Sequence, residues 1–185
     1  MGDAMRRELA RHLRGDVLEL GSGTGVTFPF LDWNGVTSLT ATDLSGGMLE
    51  EARRHEAIAN RPVTFREVDA SELPFGDATF DTVSASLMLC TVPDPEGTLR
   101  EMSRVAQPDG RIVILEHVRA PNRLLAGTQR LLSPAQQRRM GCHLDRATDN
   151  LVREMGFTIV DHRTRFFGVF HLLVLEPLGV DHTGS

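Results

Sequence analysis

Tyrosine is absent from this chain of 185 residues, tryptophan occurs once, and aromatic residues make up only 5%. The stacking platforms on which single-stranded nucleic acid or an extruded base is held are therefore scarce. The Asn/Asp-Pro-Pro-Tyr and Pro-Cys sequences found where enzymes act on bases are also missing. With a net charge of −5 and a pI of ≈ 5.8, bulk attraction to a nucleic-acid backbone is excluded, and no nucleic-acid partner is expected. Cysteine is limited to Cys90 and Cys142, far apart in sequence and not in a C-x-x-C pair. This excludes a disulfide framework, fits a reduced compartment, and gives no reason to expect a metal. No apolar stretch approaches the ~18 residues that a transmembrane helix needs, so no integral membrane segment is expected. No signal peptide, repeat or low-complexity segment stands out, and the expectation is a soluble cytoplasmic protein. A hydrophobic content of 41% is enough for one domain over 1–185 with a full core.

What the chain does contain is concentrated at 17–25, V-L-E-L-G-S-G-T-G. Val17, Leu18 and Leu20 form a short apolar run of the kind that makes a buried parallel strand. It breaks into Gly21, Gly23 and Gly25, where a missing Cβ lets a ligand approach the backbone. The segment after Gly25 is expected to open a helix whose free N–H groups face that ligand. A dinucleotide fingerprint would need glycine at Val26, and no lysine follows as a P-loop requires. Glu19 stands inside the strand end, where a pyrophosphate would gain little from a carboxylate. S-adenosylmethionine has no phosphate and carries an ammonium and a sulfonium, which a carboxylate attracts.

Two further acids fall at successive strand ends. A run over 36–42 ends in Asp43, placed to accept both hydroxyls of a ribose. Leu44 and Met48 are suited to the face of an adenine, or equally to ordinary core packing. A run over 63–68 ends in Asp69-Ala70, where a carboxylate and a backbone N–H can read the adenine edge. Acids at three strand ends around one crevice match the switch point of an open α/β sheet.

The stretches L-E-L-G-S-G-T-G (18–25), T-D-L-S-G-G-M-L (42–49), V-D-A-S-E-L-P-F-G-D-A-T-F-D-T-V (68–83) and R-V-A-Q-P-D-G-R-I-V-I-L-E-H-V (104–118) occur in the order found in one family. On them the chain resembles the class I S-adenosylmethionine-dependent methyltransferases of the UbiE-like (methyltransferase type 11) group. The resemblance implies a Rossmann-like α/β fold with a seven-stranded, mostly parallel sheet of order 3-2-1-4-5-7-6, strand seven antiparallel, and helices on both faces. It implies cofactor contacts at Glu19, Gly21, Gly23, Asp43, Leu44, Asp69, Ala70 and the Ser86-Leu87 backbone; Ser22, Gly25 and Met48, in the same segments, are counted with the expected cofactor-binding residues. S-adenosylhomocysteine would be the product and a small molecule the methyl acceptor. The segments S-L-M-L-C (86–90), L-E-H-V (115–118) and M-G-C-H-L-D-R-A-T (140–148) are similar to the branch containing the thiol S-methyltransferases, which implies a thiol as one acceptor. Relatives usually carry some tens of residues before the first strand as a lid. Here 15 precede Asp16, so the expectation is an open site, one covered by a homodimer partner, or a shortened chain. The missing lid keeps open a second function, a S-adenosylmethionine-binding protein with a degenerate or partner-completed site.

The pattern predicts helices over 4–13, after Gly25, over 47–59, 94–105, 123–132 and 145–155, the last closed by Gly156. Strands are predicted over 16–20, 36–42, 63–68, 80–85 and 111–117, with Pro108-Asp109-Gly110 as a turn, and over 157–166 and 170–176 as a closing hairpin.

Methyl transfer from a sulfonium is an in-line displacement in which alignment supplies much of the acceleration. A base is needed only if the acceptor must lose a proton. His117, at the end of the fifth strand, is the candidate; Glu116 beside it points to the opposite face. Cys90, Cys142 and His143 are assigned to the substrate pocket, with Cys142 as lining rather than nucleophile, because direct transfer needs no covalent enzyme. The remaining histidines read as surface or packing. From His117 to Leu144 there are five arginines (Arg119, Arg123, Arg130, Arg138, Arg139) and no acid, interleaved with Leu124, Leu125, Leu131 and Leu132. An amphipathic basic helix of this kind either packs its leucines on the sheet or makes peripheral contact with a membrane, in which case the acceptor is lipid-like.

Overall fold

The computed structural model describes residues 2–118, 122, 127, 131, 133, 142 and 146–179. Seven strands form one sheet: β1 (Gly15–Leu20), β2 (Val36–Asp43), β3 (Val63–Glu67), β4 (Phe80–Ser86), β5 (Ala106–His117), β6 (Ile159–Arg165) and β7 (Phe170–Leu175). Their order is β3-β2-β1-β4-β5-β7-β6, with β7 antiparallel to both β5 and β6 and the other pairs parallel, as the resemblance implied. The central strands are buried on both faces, which is why they read as apolar runs rather than as alternation.

Odd and even residues of those strands serve two separate cores. Val17, Leu39, Val113, Leu115, Leu172 and Val174 pack under helix α1 (Gly2–Ala10) through Met5 and Leu9. Leu18, Leu20, Val83, Ile112, Ile114 and Leu173 pack under α3 (Pro95–Val105) and α4 (Thr148–Glu154), against Leu99, Met102 and Val152. Each fully buried leucine contributes roughly 1.5–3 kcal/mol. Pro95 supplies the fixed φ of a first helical position, and the Asp94 side chain accepts the Gly97 N–H at 2.9 Å to cap α3.

Several local expectations are corrected. After Gly25 there is no α-helix, only a 3-10 turn at Phe28–Phe30. Phe28 and Leu31, three apart, both reach the core beneath α1, a spacing that a three-residue turn aligns, and Leu31 is already extended (φ −67°, ψ 130°). The helix expected over 47–59 is α2 (Gly46–Ala52) followed by a separate 3-10 turn at Glu56–Ile58. His55 between them is extended, and its Nδ1 accepts the Ala57 N–H at 3.2 Å, which restarts the chain. The first helix ends at Ala10, and β3 ends at Glu67. The residues of the expected 108–110 turn lie within β5, as the outward bulge between the pairs Phe80–Ala106 and Thr82–Arg111. Of the helix expected over 123–132 only Gly127 and Leu131 are described, and the basic arginines between His117 and Leu144 lie outside the described residues.

Candidate functional site

The carboxyl ends of β1, β2, β4 and β5 converge on one crevice. Gly21 (φ +62°) and Gly23 (φ +55°) turn the chain away from β1 in the left-handed region. A Cβ on Gly21 would lie 2.4 Å from Met88 Cγ, so the turn has no room for another residue. The Gly23 N–H donates to Asp43 Oδ2 at 2.9 Å, and the Ser45 N–H donates to Asp43 Oδ1 at 2.9 Å. Asp43 thus clamps the glycine turn to the start of α2. Ser22 is buried and spends both its N–H and its hydroxyl on the Thr42 carbonyl. Gly25 is likewise buried, gives its N–H to the Ser22 carbonyl, and abuts the Phe28 ring. These two hold the turn in shape.

Glu19 is the electrostatic centre. Its side chain is 2% exposed, and its Oε2 has no hydrogen-bond partner. Burial pushes its carboxyl up to about 7, although Thr27 and Arg6 pull it back. A buried carboxylate oxygen with nothing to accept is costly unless a cation completes it. That orphan oxygen, beside two glycines in the left-handed region, fits a ligand carrying an ammonium. Leu44 is 71% exposed and Met48 48%, so neither is core packing and both are free to cover a ligand. Asp69 is exposed, and the backbone N–H and hydroxyl of Ser71 hold its carboxyl below the usual range. Ala70 beside it is half-buried and packs against the core.

Across the crevice, β4 ends at Ser86, and Leu87 takes a left-handed φ of +55°, a strained conformation for leucine. The Leu87 N–H is spent on the Leu115 carbonyl at 2.7 Å. The strain is held by Glu116, whose Oε1 accepts the Leu89 N–H at 2.6 Å. Glu116 is fully buried, and burial pushes its carboxyl up to about 7. Arg146 closes the same loop from outside through the Leu89 and Val92 carbonyls. The alternation of β5 placed Glu116 opposite His117, but no local signal marks its bond to a loop 27 residues away.

His117, Cys90 and Cys142 come together. His117 Nε2 lies 2.8 Å from Cys142 Sγ, and Cys142 Sγ lies 3.6 Å from Cys90 Sγ. One side-chain donor atom from each of the three falls within 4.8 Å of the others. Burial lowers the His117 pKa, so the imidazole is neutral near pH 7 and able to accept a proton; its Nδ1 has no partner. Burial raises both thiols, Cys90 further through the nearby Glu116. Both cysteines are free thiols. His143 lies outside the described residues.

A cavity of about 150 Å³ is lined by Met5, Arg6, Leu87, Leu115, Phe166 and Phe170. Phe166 (φ +54°) and Phe167 (φ +58°) form the left-handed turn of the β6–β7 hairpin. That turn sets Phe166 edge-on against Phe170 at 5.8 Å, and Phe170 in turn meets the His117 ring at 6.4 Å. Of the remaining histidines, His171 is buried, with its Nδ1 3.1 Å from His162 Nε2, while His182 lies outside the described residues.

A seven-stranded sheet of this order, with acids and a glycine turn at its carboxyl edge, defines a class I methyltransferase fold. Residues 18–114 match the methyltransferase domain family (Methyltransf_11), and the chain belongs to it, in the UbiE-like group. It is thus a S-adenosylmethionine-dependent methyltransferase by family. It is 34% identical over 166 residues to phosphatidylethanolamine N-methyltransferase of Cereibacter sphaeroides, covering 87% of this chain and 80% of that enzyme. It is 43% identical over 105 residues to demethylmenaquinone methyltransferase of Clavibacter sepedonicus, covering 57% of this chain but only 42% of that enzyme. A S-adenosylmethionine-dependent methyltransferase from Mesorhizobium loti shares the fold, with a TM-score of 0.72 and 20% identity over 94% of this chain and 96% of that one. Among the described residues no helix is long and apolar enough to cross a membrane.

Proposed function

We propose that this chain moves the methyl group of S-adenosylmethionine to a small amphiphilic acceptor with an apolar body, and that the crevice at the ends of β1, β2, β4 and β5 holds both. The observation that carries the reading is the buried, unpartnered oxygen of Glu19 beside the Gly21–Gly23 turn. When bound, S-adenosylmethionine supplies an electrophilic methyl on a sulfonium. Glu19 would hold the ammonium, Asp43 the ribose hydroxyls, and Leu44 and Met48 the adenine face, with Asp69 and Ala70 at its edge. Gly21 and Gly23 allow the backbone to approach, while Ser22 and Gly25 keep the turn in shape. Ser86 and Leu87 form the opposite wall.

The acceptor's apolar part would occupy the cavity between Met5, Leu87, Leu115 and Phe166, leaving its reactive atom toward His117. Exclusion of water there strengthens every polar contact made to the reacting groups. His117, neutral near pH 7, would take the acceptor's proton where one must leave. Two of the relatives are named for a phospholipid amine and a quinone, both polar heads on apolar bodies, which supports this choice. Phe167, 86% exposed, and Leu131, 80% exposed, would serve peripheral contact with the surface that carries such an acceptor. A thiol acceptor is the second reading, favoured by the soft donor atoms of Cys90 and Cys142.

Calorimetric titration with S-adenosylmethionine and S-adenosylhomocysteine, followed by release of S-adenosylhomocysteine against phospholipids, quinols, thiols, phenols and amines, tests the reading. No binding of either nucleoside would overturn it. Asp43→Ala is expected to weaken S-adenosylmethionine by about tenfold or more, through loss of a bidentate acceptor and of the clamp on Gly23. Normal binding by that variant would refute the ribose assignment. His117→Ala is expected to slow turnover about 100-fold with an acceptor that must lose a proton, leaving nucleoside affinity unchanged. Unchanged turnover would remove His117 from the reaction.

A further inference from the structure

We infer that Cys90, His117 and Cys142 form a site for one thiophilic divalent cation of the zinc class, with the fourth position open to the thiolate of an acceptor. The cation part stands on its own geometry; the acceptor part rests on the methyl-transfer reading of the same crevice.

The three residues come from separate elements: the loop after β4, the end of β5, and the segment ahead of α4. Cys90 and Cys142 are 52 positions apart in sequence, yet their sulfurs are 3.6 Å apart. Zinc bonds of about 2.3 Å to sulfur at tetrahedral angles put two sulfurs about 3.8 Å apart. Cys142 Sγ and His117 Nε2, at 2.8 Å, need to open to about 3.5 Å around the same ion. The imidazole would bind through Nε2, leaving the proton on Nδ1, so with the ion bound His117 is a ligand and its role as a base belongs to the metal-free protein. Two thiolates and a neutral imidazole are a soft donor set that suits zinc and balances its charge. Both thiol protons leave as the ion enters.

Among the described residues only these three form such a group, so the described residues supply three ligands. Three protein ligands with an open position is the pattern of reactive rather than structural zinc. Glu116 Oε1 accepts the Leu89 N–H, which fixes the loop carrying Cys90. An incoming thiol loses its proton to solvent as it binds the cation. Its sulfur then forms the new S–CH3 bond as the sulfonium S–CH3 bond breaks, and that electron pair stays on the departing sulfur. The neutral thioether is a weaker ligand and leaves the position open.

The test uses untagged protein kept under a phosphine reductant. Zinc measured after gel filtration is expected at one ion per chain. Cobalt(II) in its place should give thiolate-to-metal charge-transfer absorption and the visible bands of a tetrahedral ion. Cys142→Ser and Cys90→Ser should each lower zinc affinity by about 100-fold or more while S-adenosylmethionine affinity by calorimetry is retained. Adding 2-mercaptoethanol should shift the cobalt spectrum. Wild-type protein that binds S-adenosylmethionine but retains no zinc overturns the cation site, as does cobalt binding without thiolate charge transfer. A spectrum indifferent to the thiol overturns the open position. Stoichiometric zinc in protein that does not bind S-adenosylmethionine supports the cation site and overturns the methyl-transfer reading instead.

Discussion

Glu19→Gln is expected to weaken S-adenosylmethionine by roughly 100-fold and to abolish the pH dependence of its binding. Removing one partner of a buried charge pair costs on the order of 2–5 kcal/mol. Here the pair would be the ligand ammonium and a carboxylate that the protein leaves unsatisfied on one oxygen. In the ligand-free protein burial holds the Glu19 carboxyl up at about 7, so a large fraction is protonated at neutral pH. Only the ionised form attracts a cation. Affinity should therefore fall about tenfold for each pH unit below about 7 and level off above it. Binding near neutrality should release a proton, visible as a binding enthalpy that changes with the ionisation enthalpy of the buffer. The glutamine variant should show neither effect. A wild-type affinity flat from pH 5.5 to 8 would remove Glu19 from contact with the cation.

The second large effect concerns stability without ligand. Glu116, like Glu19, is held at about 7 in the folded chain, against 4.5 for an ordinary glutamate. A raised acid binds more protons folded than unfolded between those two values. Stability is then fully present below about 4.5 as far as these groups are concerned, and is lost as pH rises through about 7. Each carboxyl removes on the order of 3 kcal/mol over that window, a large share of an ordinary domain's stability. In denaturant unfolding of the ligand-free protein the share due to these carboxyls should favour pH 5.5 over pH 8, against the opposite pull of His12, His117 and His171, whose pKa burial lowers. Glu116→Gln should remove about half of that share from the slope of stability against pH. The slope is the readout, because the amide brings N–H groups of its own to a site where Glu116 Oε2 has no partner. A Glu116→Gln slope equal to wild type would show that the carboxyl titrates normally. Bound S-adenosylmethionine should offset the Glu19 share, so saturation with ligand should stabilise the protein more at pH 8 than at pH 5.5.

The strands were legible because their cause is local. A strand buried on both faces is a short apolar run, and Val17-Leu18 and 112–115 are such runs. The glycine turn was legible because left-handed backbone admits few residue types, and Asp43, at the end of β2, clamps that turn through Gly23. The helix after Gly25 was misread because its shape is set by where Phe28 and Leu31 must bury, a requirement of the core under α1. The break after Ala52 was missed for a similar reason: a side-chain cap at His55 outweighed helical propensity.

Sequence alone, then, determined the family by resemblance, and with it the strand order, while periodicity and glycine spacing, which act between near neighbours along the chain, marked the strands and the turn after β1. Tertiary structure decided the chemistry on the far wall. Placing β4 beside β5 carries Glu116 under the loop of Leu87 to Cys90 and brings His117 to Cys142 and Cys90. Two cysteines whose spacing gives no reason to expect a metal join His117 in a three-donor cluster by their packing, because distance along a chain says nothing about distance across a sheet.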